Sequence, residues 1–103
     1  MRANGAELLA HALARAGVEV VAGVPGASVF AFGDAVDRNP KLKPFLVRHE
    51  STAAFAADAY FRVSGKLMAV MVHAMPGAAN ALAGIANAYC DSSSMIVVLG
   101  ETG

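Results

Sequence analysis

Residues 67–99 read LMAVMVHAMPGAANALAGIANAYCDSSSMIVVL, and between Lys66 and Asp91 no side chain carries a formal charge. An uncharged run of this length raises the question of a membrane span. Its interior argues against one, because Pro76-Gly77 breaks it and His73, Asn80 and Asn87 are polar. Residues 67–72 read as a buried strand, 77–89 as an Ala-rich helix with Leu82, Ile85, Ala86 and Tyr89 on one side, and 95–99 as a second strand. Strand, helix and strand in that order describe a crossover between parallel neighbours.

The same alternation extends toward the N-terminus. Residues 51–63 form a helical pattern closed by Ser64-Gly65-Lys66, and 44–47 a short strand before it. Further back, 18–24 is a β-branched strand run, followed by Pro25-Gly26 and a helix in which Val29, Phe30, Gly33 and Val36 share a face until Asn39-Pro40. Asn4 with Glu7 three residues on makes a capping box for a first helix whose apolar face is Leu8, Leu9, Ala12, Leu13 and Ala16, ended by Gly17. Four apolar strands separated by helices predict a doubly wound α/β domain, its mostly parallel sheet buried under helices on both faces.

The chain has 103 residues, enough for one domain, with 56% hydrophobic residues and eight basic side chains against eight acidic ones. Charge is too scarce for a disordered coil or a polybasic nucleic-acid-binding tail. A single cysteine, Cys90, forms no internal disulfide and reads as a buried, unreactive thiol, so the cytoplasm is the expected compartment. Glu7, His11 and Arg15 interrupt the apolar residues of the N-terminus, unlike a signal peptide. After the last strand only Gly100-Glu101-Thr102-Gly103 remain, so residues 1–103 are expected to be a single domain incomplete at its C-terminus.

In an open parallel sheet, ligands bind outside the carboxyl ends of the strands. Three loops there are distinctive. Gly23-Val24-Pro25-Gly26-Ala27-Ser28 lacks the dinucleotide glycine spacing and reads as a strand-to-helix turn capped by Ser28. At Arg48-His49-Glu50-Ser51, Glu50 is either a first-turn acid complementing a helix dipole or a carboxylate exchanging a proton with a heterocyclic ligand. At His73-Ala74-Met75-Pro76-Gly77-Ala78-Ala79-Asn80, His73 is a structural histidine or an acid–base group. Gly77 there admits either a ligand or another backbone, and Asn80 bonds either a neighbouring loop or a substrate. No zinc spacing, nucleophile elbow or P-loop is present, and no metal ligand is assigned within this chain.

The run from Arg48-His49-Glu50 through Ala53-Ala54-Phe55-Ala56-Ala57-Asp58-Ala59-Tyr60-Phe61-Arg62 to Ser64-Gly65-Lys66 resembles the amino-terminal domain of thiamine-diphosphate-dependent enzymes. Pro76-Gly77-Ala78-Ala79-Asn80, Gly84-Ile85-Ala86-Asn87-Ala88, Asp91-Ser92 and Gly100 continue the likeness, in an order similar to acetolactate synthases and benzoylformate decarboxylases. The resemblance implies a pyrimidine-binding domain whose usual extent exceeds this chain. It implies that Glu50 hydrogen-bonds the cofactor's aminopyrimidine and promotes the imino form that leads to the ylide, which attacks a 2-oxo acid. Pro25, Gly26, Pro76, Gly77 and Asn80 would line the cofactor site.

His73 stands where acetolactate synthases have small polar residues and benzoylformate decarboxylases a proton-transferring histidine, which tilts the expectation toward decarboxylation. Met75 in place of the first Gly of GPG, Ala59 in place of the Gly of GYAR, Ser94 in place of a common Pro, and Ala27 in place of a substrate-binding Ser are departures. The resemblance further implies a partner domain, in the same or another subunit, that holds the diphosphate and Mg2+. A homo-oligomer, and in some relatives FAD, go with it. Acetolactate synthesis is the alternative within this class, and a non-catalytic α/β oligomerisation module the alternative outside it. No nucleic acid or membrane partner is expected.

Overall fold

A computed structural model describes residues 2–101. Helix α1 (Gly5–Arg15) is followed by β1 (Val20–Gly23), a 3₁₀ turn (Ala27–Val29), α2 (Phe30–Arg38) and β2 (Lys43–Leu46). Then come α3 (Glu50–Ser64), β3 (Ala69–His73), α4 (Ala74–Cys90) and β4 (Ile96–Gly100). The four strands form one parallel sheet in the order β2-β1-β3-β4. The expected architecture is therefore present, with α1 and α2 on one face and α3 and α4 on the other.

The two faces have separate cores. Leu13, Val21, Val29, Phe32, Val36, Leu42 and Met71 pack one side of the sheet. Ala22, Ala53, Ala54, Ala57, Val70, Val72 and Ala81 pack the other. Alternation along β3 assigns Ala69 and Met71 to the first core and Val70 and Val72 to the second. Each fully buried valine contributes on the order of 1.5–3 kcal/mol.

Local signals explain the helix ends. Asn4 accepts from the Glu7 amide at 2.8 Å while Glu7 returns a bond to the Asn4 amide at 3.0 Å, so the expected capping box is formed. Gly65 closes α3 with φ +72°, a left-handed conformation that glycine adopts without steric cost. Helix α4 begins three residues earlier than its sequence pattern indicates, because Pro76 sits in its first turn, where no intrahelical N–H bond is needed.

The structure corrects several sequence expectations about which side faces inward. On α1 the buried residues are Ala10 and Leu13, and Leu8, Leu9, Ala12 and Ala16 are exposed. On α2 Phe32, Ala35 and Val36 are buried while Phe30 points outward. On α4 the inner stripe is Gly77, Ala81, Gly84 and Ala88, and Leu82 and Tyr89 are exposed. Close approach of α3 and α4 selects small residues between them, so size rather than hydrophobicity decides the face. Strand β2 is an exposed edge and not a doubly covered strand, and Cys90 is exposed, not buried. The C-terminal residues Thr102 and Gly103, on which the expectation of an unfinished domain partly rests, lie outside the described residues.

Asp58 anchors the second layer. It is buried in α3 and accepts from Arg62 Nε at 2.8 Å and Asn87 Nδ2 at 2.7 Å, and Arg62 also reaches Asp91 at 2.8 Å. The Ser93 hydroxyl donates to the Asp58 carbonyl, joining α3 to the turn before β4. The Arg62 guanidinium, helped by Ser93 and Asn87, holds the Asp58 carboxyl at about 2, below its ordinary 3.8. Its folded value is the lower one, so the unfolded chain takes up the proton first as pH falls. Stability from this group is thus complete above about pH 4 and lost on descent through about 2. Urea midpoints measured across that window should fall in the wild type and fall less in Asp58→Asn.

Candidate functional site

The strand order sets where a crevice opens. After β1 the chain turns into α2 on one face of the sheet, and after the adjacent β3 it turns into α4 on the other. Loops leaving neighbouring strands in opposite directions part between them, which is the switch point of an open parallel sheet. Pro25, Gly26 and Ser28 from the first loop and His73 from the end of β3 meet there.

The meeting is close. A Cβ built on Gly26 would lie 2.4–2.8 Å from Cγ, Cβ and Cδ2 of His73, so the main chain at Gly26 lies directly against the imidazole. The Ser28 hydroxyl is 2.6 Å from His73 Nδ1 and donates to the Gly100 carbonyl at 2.9 Å. Gly100 pairs in register with His73 across the β3–β4 ladder. Ser28 is not the helix cap its position in the sequence indicates: Gly26 precedes the 3₁₀ turn, and the serine side chain is spent on His73 and Gly100.

Ala74, directly after His73, has φ +49°. An L-residue in this region costs about 1–2 kcal/mol. The strain sits in the turn that swings the chain from β3 into α4. Gly77, one turn further, packs on β3, where an added Cβ would stand 3.3 Å from Val72 Cβ. Of the two openings the sequence leaves for this glycine, the structure uses close approach to another backbone.

Glu50 opens α3 and is half-buried. Its Oε2 accepts from Asn80 Nδ2, in the second turn of α4, at 3.0 Å. Among the described residues no hydrogen bond engages Oε1. One carboxylate oxygen is thus oriented by an amide while the other is available to a ligand. His49, which precedes it, caps α3 by accepting from the Ser51 amide at 3.1 Å through Nδ1. Sequence reasoning missed this cap because histidine is not among the usual capping residues.

Two clusters therefore form, Glu50 with Asn80 and His73 with Ser28, Gly26 and Gly100. Pro25 is exposed beside the second and lines a cavity of about 240 Å³ with Phe30, Gly33, Leu46 and Met71. Pro76 is exposed in the first turn of α4. Among the described residues no group of three His, Cys, Asp or Glu side chains is arranged to hold a metal ion. No described helix is long and apolar enough to cross a membrane.

The geometry is that of an α/β domain presenting a carboxylate and an imidazole from the strand ends of a parallel sheet. Residues 3–103 match the family described as "Thiamine pyrophosphate enzyme, N-terminal TPP binding domain", and the chain belongs to that family. It is 42% identical to an acetolactate synthase large subunit of Haemophilus influenzae, over 95% of this chain and 17% of that protein. It is 38% identical to one from Lactococcus lactis, over 97% of this chain and 17% of the relative. With isozyme 1 of Escherichia coli the identity is 36%, over 97% and 18%. The chain spans about a sixth of the length of these curated relatives.

Proposed function

We propose that this domain forms the pyrimidine side of a thiamine-diphosphate-dependent enzyme that decarboxylates a 2-oxo acid. The observation that carries the reading is the half-engaged carboxylate of Glu50, with Oε2 held by Asn80 and Oε1 open at the start of α3. That donor set fits an aminopyrimidine, whose ring nitrogen and exocyclic amine ask for a fixed acid–base oxygen and a polar edge beside it. When bound, thiamine diphosphate supplies a carbon that adds to the 2-oxo carbonyl and a cationic ring that takes up electrons as carbon dioxide leaves.

Glu50 would hold the aminopyrimidine through the carboxylate oxygen that Asn80 leaves open and could exchange a proton there, while Asn80 keeps the carboxylate from rotating away. Pro25-Gly26 and Pro76-Gly77 shape the walls, Gly26 by bringing main chain against His73 and Gly77 by seating α4 on β3. His73, on the substrate side, takes a proton from or returns one to the reacting oxo acid. The diphosphate, its Mg2+ and, in a flavin-containing relative, FAD are assigned to other domains of the same or another subunit. Exposed Phe55, Met75, Leu82 and Tyr89 on α3 and α4 support burial against such a partner and a homo-oligomeric assembly.

A second reading, acetolactate formation, is favoured by the names of the relatives, and it shares every step up to carbon dioxide release. Incubating the assembled holoenzyme with pyruvate separates the two. Acetaldehyde as the main product supports simple decarboxylation, acetolactate supports carboligation, and failure to release carbon dioxide from any of a panel of 2-oxo acids overturns both.

A further inference from the structure

Two histidines in this chain are paired with serines, and the pairs differ in one respect. His49 Nδ1 lies 2.7 Å from Ser51 Oγ and accepts from the Ser51 amide at 3.1 Å. That serine is two residues away on the same helix turn, and its hydroxyl has no second acceptor among the described residues. His73 Nδ1 lies 2.6 Å from Ser28 Oγ, and the Ser28 hydroxyl is also 2.9 Å from the Gly100 carbonyl. The three residues come from the loop after β1, the end of β3 and the end of β4.

A hydroxyl has one hydrogen, and a carbonyl oxygen can only accept. With its hydrogen on Gly100, Ser28 offers a lone pair to the imidazole, and the 2.6 Å contact then requires the proton on Nδ1. The Ser28 amide also reaches Nδ1, at 3.3 Å, and as a donor there it favours the opposite tautomer. The 2.6 Å contact fits either tautomer, and the 2.9 Å bond to the Gly100 carbonyl, shorter than the amide contact it competes with, decides between them. Nε2 is left as the basic nitrogen, and among the described residues no hydrogen bond engages it.

We propose that Ser28 is a positioning residue that fixes neutral His73 in the Nδ1-protonated tautomer, the form in which Nε2 is free to take up a proton. The inference rests on the reading of His73 as a proton-exchanging group. The geometry around the ring supports a built arrangement. Gly26 allows main chain against the imidazole, and a Cβ at Gly100 would lie 2.4 Å from the Ser28 carbonyl oxygen and 2.6 Å from its hydroxyl. Both glycines are where any side chain would displace the relay. When Nε2 gains a proton, the Nδ1–H to Ser28 to Gly100 chain is unchanged, so the ring keeps its orientation through the transfer.

The test is made on the 103-residue chain with ¹⁵N-labelled histidine, without cofactor, well above the ordinary histidine titration range. Long-range ¹H–¹⁵N correlations report which ring nitrogen carries the proton. The expected result is Nδ1–H for His73, against Nε2–H for His49 and a mixture dominated by Nε2–H for exposed His11. Ser28→Ala should shift His73 to the pattern of His11, and Ser28→Thr, which keeps the hydroxyl, should restore Nδ1–H. His49 should not change in either variant.

A bare Nδ1 on His73 in the wild type overturns the proposal, and so does Ser28→Ala with Nδ1–H retained. The wild-type spectrum decides even where the alanine variant fails to fold. Turnover does not enter, so loss of His73's catalytic role, seen as wild-type activity in a His73→Gln holoenzyme, is a separate result.

Discussion

Glu50→Gln is expected to lower turnover of the assembled enzyme by about 10²–10⁴-fold, the usual worth of a positioned acid–base group. The substitution keeps size and shape, and the new amide oxygen still accepts from Asn80 Nδ2, where Glu50 Oε2 now accepts at 3.0 Å. What disappears is the ability to exchange a proton at Oε1. The fold should be unaffected, since the side chain is only half-buried and belongs to neither hydrophobic core. Thermal unfolding should therefore match the wild type while the rate collapses. Turnover within a few-fold of the wild type would remove Glu50 from the acid–base role.

The second large effect concerns the packing of α3 on α4. A Cβ on Gly84 would stand 2.5 Å from Ala54 Cβ and 2.9 Å from the Phe55 amide nitrogen, a distance real side chains do not reach. Gly84→Ala must therefore push the helices apart, although alanine is the better helix former. Overpacking of this kind costs about 1–3 kcal/mol. For a domain of this size the melting temperature should fall by about 5–20 °C. Gly5→Ala provides the contrast: nothing lies within 4 Å of its added methyl, and it should leave stability unchanged or raise it by up to about 1 kcal/mol. Equal melting temperatures for the two variants would contradict this account of the interface. The displacement also bears on the site, because Glu50 and Asn80 sit on these two helices and meet only at their present spacing.

The alternation of strands and helices was legible because each element carries its own period and its own stop signal, as Asn4 with Glu7 and Gly65 do. The helix faces were less so. Leu82 and Tyr89 carry far more apolar surface than Gly84 and Ala88, yet the partner helix lies too near for them. A single sequence states which residues are apolar but not how close the neighbouring element comes. Phe30, Leu8 and Leu9 were misread in the same way, and Cys90 followed the outward side of its helix.

The site was legible in part. Glu50 and His73 stand at strand ends, where parallel sheets bind ligands, and the resemblance to thiamine-dependent enzymes singled out both. Their partners were not legible. Asn80 is 30 residues from Glu50, and Ser28 is 45 from His73 and 72 from Gly100. Contacts at that separation are products of sheet order and register. Ser28 also carried a local explanation, as a helix cap, that competed with its actual one. The rule that would have found it is topological: the loops after β1 and β3 face each other once the order β2-β1-β3-β4 is known.

In the proposed role, Glu50 promotes proton release from the reactive carbon of bound thiamine diphosphate. The most direct measurement is the rate at which that carbon exchanges its proton for deuterium in the holoenzyme, by rapid mixing into D2O and acid quench, without substrate. Exchange should be fast in the wild type and slowed by about 10²–10⁴-fold in Glu50→Gln, with cofactor occupancy checked to be equal. Equal exchange rates at equal occupancy would show that Glu50 has no part in that proton release.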